Sequence, residues 1–482
     1  MSDTGRLDQF IEWLSPRWAA QRMAYREAMN GYRGAIRTRN SGVVWPHSTQ
    51  ITGTRLPTSM SLESMRDRSR NLDRNNALAS ATLDRAVENV VGTEIRVEPR
   101  TGDERFDARA RELWNQWKRR CDVRGVFSFQ QMQQQVYRAL LRDGDVGVVL
   151  VDRGGPMLQC IEGDQIKSPP GQHAGGMSVD GVELNPVNGP RAYFVRTIDE
   201  RNRATYTRVA SRNMAFLARL GGLSEVRGVP VFSQCFELFD YIQGYLEGTV
   251  ISARTAAYFS LVIKRNNSEK LLSGLGRTTN SAGRPQATIN LEPGSIQYLE
   301  PGEDVVQIKP EQPGQSFPDA IVAFSRFVGL KLGLTIEQVL LDFSRANYSS
   351  SRAARLQANQ TAEMEQANFA ENFVSRVYRW AVSKWVNDGL FGDSIPPNHL
   401  AHEWIPQGKP WVDPTKEIDA AIRATEFGID ARSNIAMERG YDFGELCRRN
   451  EQDRKLMESH GLTGGADGEE ETEGPDSPAG GG

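Results

Sequence analysis

The 482-residue sequence has only four cysteines, Cys121, Cys160, Cys235 and Cys447, far apart and with no CxxC pair. That spacing excludes a disulfide framework and a zinc knuckle, and free thiols suit a reducing cytoplasm. Histidines number five, and only His399 and His402, beside Glu403, lie close together. They lack HExxH spacing and an evident third ligand, so no metal site and no cofactor are expected. No stretch approaches the roughly 20 apolar residues that span a bilayer. Residues 1–22 alternate in charge and lack the apolar segment of a signal peptide, so a protein made and kept in the cytosol, away from membranes, is expected. The net charge is only −3. A histone-like basic protein is thereby excluded, although a neutral total can hide local patches. No GxxxxGK[ST] phosphate loop, GxGxxG after a strand, GxSxG elbow or two-metal carboxylate cluster is present. A nuclease or an ATPase would need such residues, and no catalytic site is expected.

What is present is enough apolar sequence to fold, at 39% hydrophobic and 25% charged residues. This length exceeds one ordinary core and implies two to four domains. The pattern predicts an α+β, predominantly helical protein. Residues 8–35 carry Trp13, Trp18, Met23 and Tyr25 among arginines, and read as one or two helices: a basic amphipathic face able to touch a membrane or nucleic acid or, as the preferred reading, an arm packed on a neighbouring domain. Residues 38–61 are rich in Thr, Ser, Gly and Pro and read as a linker. A helix is predicted over 61–89, a short strand at 95–99, helices over 106–120 and 127–141, and a buried strand at 146–151. Strands broken by turns follow over 158–209, and residues 90–230 read as one α+β domain. A long helix is predicted from Val231 to about Lys264, a strand-and-loop insert over 266–313, and a second long helix from Phe317 to about Leu341. Such a pair would run antiparallel and hold the insert at its tip. Residues 342–352 read as a polar turn, followed by helices over 353–386, 414–426 and 431–439. The tail from Gly461 has six acidic residues, eight glycines and no basic residue. It is expected to be disordered and easily cut.

Three charged groupings could carry function. Arg66, Arg68, Arg70 and Arg74 lie within nine positions, answered by Asp67 and Asp73. Asp143 and Asp145 flank Gly144, and a turn before a strand uses aspartate for shape rather than for acid–base work. Arg345, Arg352 and Arg355 flank Asn347, Tyr348 and Ser349, a set that by itself reads first as a solvated loop and second as one able to touch a phosphate backbone without reading bases. Lys264, Arg265 and Lys270 sit where the first long helix is predicted to end, a place that favours cations.

Six blocks, in order, resemble the lambda-type family of tailed-phage portal proteins. They are residues 70–80 with 89–95, Asp143-Gly-Asp145, Arg227-Gly-Val-Pro230, the paired turns Leu291-Glu-Pro-Gly294 and Leu299-Glu-Pro-Gly-Glu303, residues 342–354, and Trp411-Val-Asp-Pro-Thr-Lys-Glu-Ile418. The resemblance spans about residues 20–450. It implies a portal fold assembled as a ring, normally a dodecamer, at one vertex of the capsid in the virion, built in the host cytoplasm. By that resemblance 1–60 is an N-terminal arm, 61–230 wing, 231–265 and 315–341 stem helices, 266–314 clip, 342–352 tunnel loop, 353–460 wing and crown helices, and 461–482 a disordered tail. Double-stranded DNA would pass through the channel in packaging and ejection. Arg345, Asn347, Tyr348, Ser349 and Arg352 would then face it. The implied partners are the terminase large subunit, the capsid or scaffolding protein and head–tail completion proteins. Another structural virion protein, or a DNA-packaging enzyme, would lack this segmentation or would need the catalytic residues that are missing.

Overall fold

The computed structural model describes residues 59–170, 178–223, 225–258, 262–265, 277–279, 285–287, 303–306, 317–344, 347–392, 394–408 and 414–461. The arm up to residue 58, most of the insert and the tail from 462 lie outside these.

The first helical stretch is two helices, α1 (Ser59–Asn75) and α2 (Ala77–Val90), rather than one. Asn76 divides them because its side chain accepts the Ala79 N–H at 3.0 Å, the bond of an N-cap. Strand β1 (Arg96–Pro99) pairs antiparallel with a distant strand, β13 (His402–Ile405). Asp103 caps α3 (Glu104–Trp117), and a Ser128–Gln131 capping box opens α4 (Phe129–Asp143). Buried Gln133 of α4 spends its amide on both backbone groups of Ile95, tying the start of β1 to that helix.

Strand β2 (Asp145–Asp152) lies between β3 (Pro156–Glu162) and β8 (Met214–Ala218), both antiparallel to it. Its near-continuous burial matches the unbroken Val146–Val151 run. A second sheet has the order β4 (Ser178–Val179), β5 (Val182–Leu184), β6 (Pro190–Ile198), β7 (Ala204–Ala210). It encloses a small core of Ile161, Ile166, Val182, Tyr193, Val195 and Met214.

Helix α5 (Phe236–Tyr258) is shorter than its sequence suggests. Val262 to Arg265 form strand β9, which pairs antiparallel with β12 (Glu303–Val306). Lys264 and Arg265 therefore lie in a ladder and not at a helix end. The β-branched Val262 and Ile263 opposite Val305 and Val306 fit a pleated pair better than a helix. This ladder closes the base of the insert, inside which β10 (Arg277–Thr279) and β11 (Pro285–Ala287) form a hairpin. After β12 the chain returns through α6 (Phe317–Leu332). The Tyr245 and Phe317 rings stack at 5.4 Å. Toward the other end of the pair, burial pushes the Cys235 thiol up, and Lys331 of α6 opposes that shift. The two helices thus run antiparallel, and the insert hangs from their shared end.

The long C-terminal helix is one continuous rod in three parts: α8 (Tyr348–Phe369), a π-helical turn (Ala370–Ser375), and α9 (Arg376–Asn387). It threads the main core. Phe373, Tyr378 and Trp385 meet Trp114 and Phe129 at ring distances of 5.3–6.5 Å. The core thus draws on α1, α2 and residues 369–385 as well as on 90–230. Beyond β13 come α10 (Pro414–Glu426), α11 (Arg432–Glu438) and α12 (Phe443–Ser459). Sequence reading had not marked α12, because its apolar residues are sparse and none is buried.

Candidate functional site

The predicted contact loop begins where α6 stops. Gly333 takes φ +67°, and Thr335 with Gln338 forms a capping box for the short helix α7 (Ile336–Leu340). Buried Val339 packs that helix down. Leu341 then adopts φ +52°, a left-handed conformation unusual for a branched side chain. Asp342 accepts the Ser344 N–H at 2.9 Å, and the chain next enters α8.

The predicted site residues fall in different places on this segment. Arg345 lies outside the described residues, as does the Tyr348 side chain. Asn347 is the N-cap of α8, its side-chain oxygen 2.9 Å from the Ser350 N–H and from the Ser350 hydroxyl. Ser349 and Arg352 are exposed in the first turns of that helix. The loop therefore ends at Asn347, and the expected turn over 342–352 is half helix. Once Asn347 satisfies the first free N–H groups, Ala353, Ala354 and the arginines favour helix. Two large apolar side chains that sequence reading passed over, Leu341 and Phe343, are exposed here. Asn347→Ala is expected to cost about 1 kcal/mol through loss of the cap. A melting curve checks this, and Asn347→Asp should retain most of the stability.

Elsewhere in the fold an ion-pair hub joins three of the sequence blocks, through Arg70, through Asp143 and Asp145, and through Arg227. Gly144 ends α4 at φ +87°. A Cβ there would lie 2.4 Å from the Val229 carbonyl carbon, and one on Gly228 would lie 1.9 Å from Gly144 O. Only glycine permits the Asp-Gly-Asp and Arg-Gly-Val-Pro segments to meet so closely. Asp145 and Asp143 are 0% exposed and Arg227 only 2%. The Arg227 Nε and Nη2 reach the two Asp145 oxygens at 2.7 and 3.1 Å, and its remaining donors go to the carbonyls of Gly163, Ile166 and Asp180. On the opposite side Arg66 donates to Asp145 at 2.8 Å and to the Asp143 carbonyl at 2.9 Å. Arg70 and Arg142 each clasp the Asp143 carboxylate with two bonds of 2.8–3.0 Å.

The arginine cluster at 66–74 is thus largely committed to structure: Arg68 pairs with Asp240 of α5 at 3.0 Å. The hub ties α1, both sheets and the residues leading into α5 to one another. Asp143 and Asp145 act there as buried counter-ions. Arg227, read from sequence only as the start of the helix approach, is the centre of the arrangement. A lone arginine before Gly-Val-Pro gives no sign of it without its distant partner.

Burial opposes the charge on Asp143, but the paired bonds from Arg142 and Arg70 outweigh it and hold the carboxyl below its usual range. Asp164 is lowered in the same way: burial works against its charge, and Arg70 prevails. Burial likewise works against Arg227, and Asp145 more than compensates. Groups depressed in the folded state bind protons less readily than in the unfolded chain. Their stabilisation is therefore full above the ordinary carboxylate range near pH 4, and is lost as pH falls through the lower folded values. The urea midpoint should hold steady from about pH 7 to 5 and drop below about pH 4. In Asp143→Asn the remaining drop should be shallower.

Among the described residues no group of three or more His, Cys, Asp or Glu could hold a metal ion, and no helix is long and apolar enough to cross a membrane. His402 lies in β13 against the Tyr378 ring at 4.7 Å, with Nδ1 2.7 Å from the Leu400 carbonyl.

Comparison with known proteins bears out the family resemblance. A sequence profile described as phage portal protein, lambda family, matches residues 48–366. A probable portal protein of Halomonas phage phiHAP-1 is 22% identical over 427 residues, covering 83% of this chain and 82% of its own length. Among solved structures, a chain from the virion of a native gene transfer agent particle is similar at 14% identity and a TM-score of 0.45, covering 78% of this chain and 92% of its own. An HK97 family phage portal protein from Corynebacterium diphtheriae is similar at 12% identity and a TM-score of 0.34, covering 74% and 98%. With the profile spanning well over half of its residues, the chain belongs to the lambda family of phage portal proteins.

Proposed function

We propose that this portal protein assembles as a ring of twelve copies at one capsid vertex, and that double-stranded DNA passes through the ring during packaging and ejection. The observation that carries this reading is the path of the chain. Two antiparallel helices hold a strand-closed insert at one end, and the loop before α8 lies past the other. In this layout α5 and α6 form the stem, residues 266–314 the clip, residues 61–230 most of the wing, and 353–460 the rest of the wing and the crown. Both stem helices leave large apolar side chains uncovered in a single copy, Leu246, Val250 and Ile251 on α5 and Phe327 and Leu330 on α6. Neighbouring copies repeating one head-to-tail contact would cover them, and such contacts close into a ring with a central hole.

DNA must slide, so contacts have to be weak and blind to sequence. Ser349, Arg352 and the apolar pair Leu341 and Phe343 offer scattered contacts of this kind, as would Arg345 and Tyr348. A charge of −3 per copy, or −36 for twelve, suits sliding better than gripping. No part of this role asks the chain itself to hydrolyse ATP. That work falls to a terminase large subunit docked on the clip, and head–tail completion proteins would take over the same surface. The capsid or scaffolding protein would surround the wing. Native mass measurement of the full-length protein tests assembly. A particle near twelve times 53.7 kDa supports the reading, and a stable dimer as the largest species would oppose it.

A further inference from the structure

A cleft of about 650 Å³ lies between the two sheets and the long C-terminal helix, and Arg376 of α9 lines it. Arg219, in the same wall, is matched by Glu365 of α8, both of whose carboxylate oxygens lie 3.0 Å from its Nη1. Arg376 has no such match. It donates to the Ser211 carbonyl, and no carboxylate pairs with it among the described residues. Burial works against its charge, and nearby Arg379 adds to the effect. A carbonyl satisfies a donor but does not balance a half-buried charge, which stays costly until an anion meets it. The same cleft carries Leu220 and Leu223, both exposed. A phosphate would answer Arg376 and leave both leucines in water. The lining calls instead for a carboxylate set next to an apolar side chain.

The hairpin that joins β6 to β7 offers that pair. Ile198 is exposed at the end of β6, and Glu200 follows in the turn, exposed and without an ion-pair partner among the described residues. The turn is preformed. Asp199 Oδ1 accepts the N–H groups of Arg201 and Arg203 at 2.9 and 2.7 Å, Oδ2 takes the Arg203 Nε, and Asn202 adopts φ +56°. Asp199 is thereby committed, and Glu200 is the acid left to present. Docking so fixed a tip would order little that is not already ordered. We propose that the β6–β7 tip of one copy docks in this cleft on the next copy, with Glu200 against Arg376 and Ile198 against Leu220 and Leu223. Glu225, in the same lining, supplies the opposite charge for Arg201 of the tip.

The contact has to run between copies. Pro190 and Tyr193 of β6 line the cleft, and the tip lies at the far end of the same strand. From Tyr193 to Ile198 a pleated strand advances roughly 17 Å. Unbroken pairing of β6 with β7 from Ala192 to Ile198 keeps the hairpin from folding back. Tip and cleft are different surfaces, so the contact is head-to-tail and repeats around a ring instead of closing after two copies. The proposal rests on the ring reading above and adds to it where neighbouring wings meet.

Charge reversal in the full-length protein tests the contact, read as the protein concentration at which native mass shows half assembly. Glu200→Arg should raise that concentration at least about tenfold, because two arginines would then face each other. Arg376→Glu should do the same. Both changes in one chain should return it to within about threefold of wild type, since every copy then supplies the reversed pair. Glu200 has no partner in its own copy, so its variants should fold normally. Cross-linking keeps the test sharp if Arg376→Glu folds poorly. With Glu200→Cys and Leu223→Cys in one chain, and Cys447→Ser removing the exposed native thiol, a short bis-maleimide should give a ladder of covalent multiples of 53.7 kDa. Neither cysteine substitution alone should give one. Rings that form at the wild-type concentration with Glu200→Arg, or that yield no ladder, overturn the contact and leave the ring reading standing. A folded double variant as impaired as Arg376→Glu alone overturns the contact as well. A wild-type protein that never assembles overturns both.

Discussion

Replacing Asp145 with alanine should destabilise the protein by about 3–5 kcal/mol, the usual cost of removing one partner from a buried charge group. The magnitude follows from what remains. Arg66 and Arg227, 3% and 2% exposed, would both lose their shared carboxylate. Arg227 would keep its carbonyl acceptors at Gly163, Ile166 and Asp180 but not a compensating charge. The Gly228 N–H, 3.1 Å from Asp145 Oδ2, would lose its acceptor too. Asp145→Asn keeps an acceptor and the side-chain volume, so its loss should be smaller. Gly228→Ala should be at least as damaging as Asp145→Ala, because its Cβ would meet a carbonyl oxygen at a non-bonded distance no packing tolerates. Urea unfolding of the three variants beside the wild type checks the ranking. A loss below about 1 kcal/mol for Asp145→Ala would mean that water or a rearranged arginine replaces the carboxylate.

The second large effect concerns DNA. Arg352 is exposed in the first turns of α8 and has no ion-pair partner among the described residues. Arg352→Glu should therefore leave folding and assembly nearly unchanged. It changes the charge by −2 per copy, and in a ring of twelve those changes would face one duplex. Repulsion acts within roughly a Debye length, about 8 Å at physiological salt, so its effect depends on how near the residue comes to DNA. Packaging into heads should fall by about tenfold or more, a change equivalent to about 1.4 kcal/mol on the rate-limiting step. Arg352→Gln should lie between the variant and the wild type. Normal packaging by Arg352→Glu would place this residue away from the channel.

Local chemistry made much of the architecture readable. The Ser128–Gln131 box, the unbroken Val146–Val151 run and the Pro414 start of α10 each signal an element through neighbouring residues. The antiparallel helix pair was legible because its apolar residues repeat at helical spacing and the intervening composition changes abruptly. Features that depend on distant pairing were not. β9 looks like the end of a helix until Val306 is set beside Val262. The π-turn at Ala370–Ser375 lies inside a sequence that is helical by any propensity. The site was half legible: the block from Asp342 was identifiable, but the cap bond of Asn347 moves the helix start into it. The role of Arg227 depends on Asp145, 82 positions earlier, and no local pattern links them.

The most direct test of the central claim is electron microscopy of the purified full-length protein with rotational symmetry left free. The account predicts rings with a channel wide enough for a duplex about 20 Å across, with residues 341–352 of every copy lining it. A closed particle without a channel, or a ring that holds those residues on its outer rim, would contradict it.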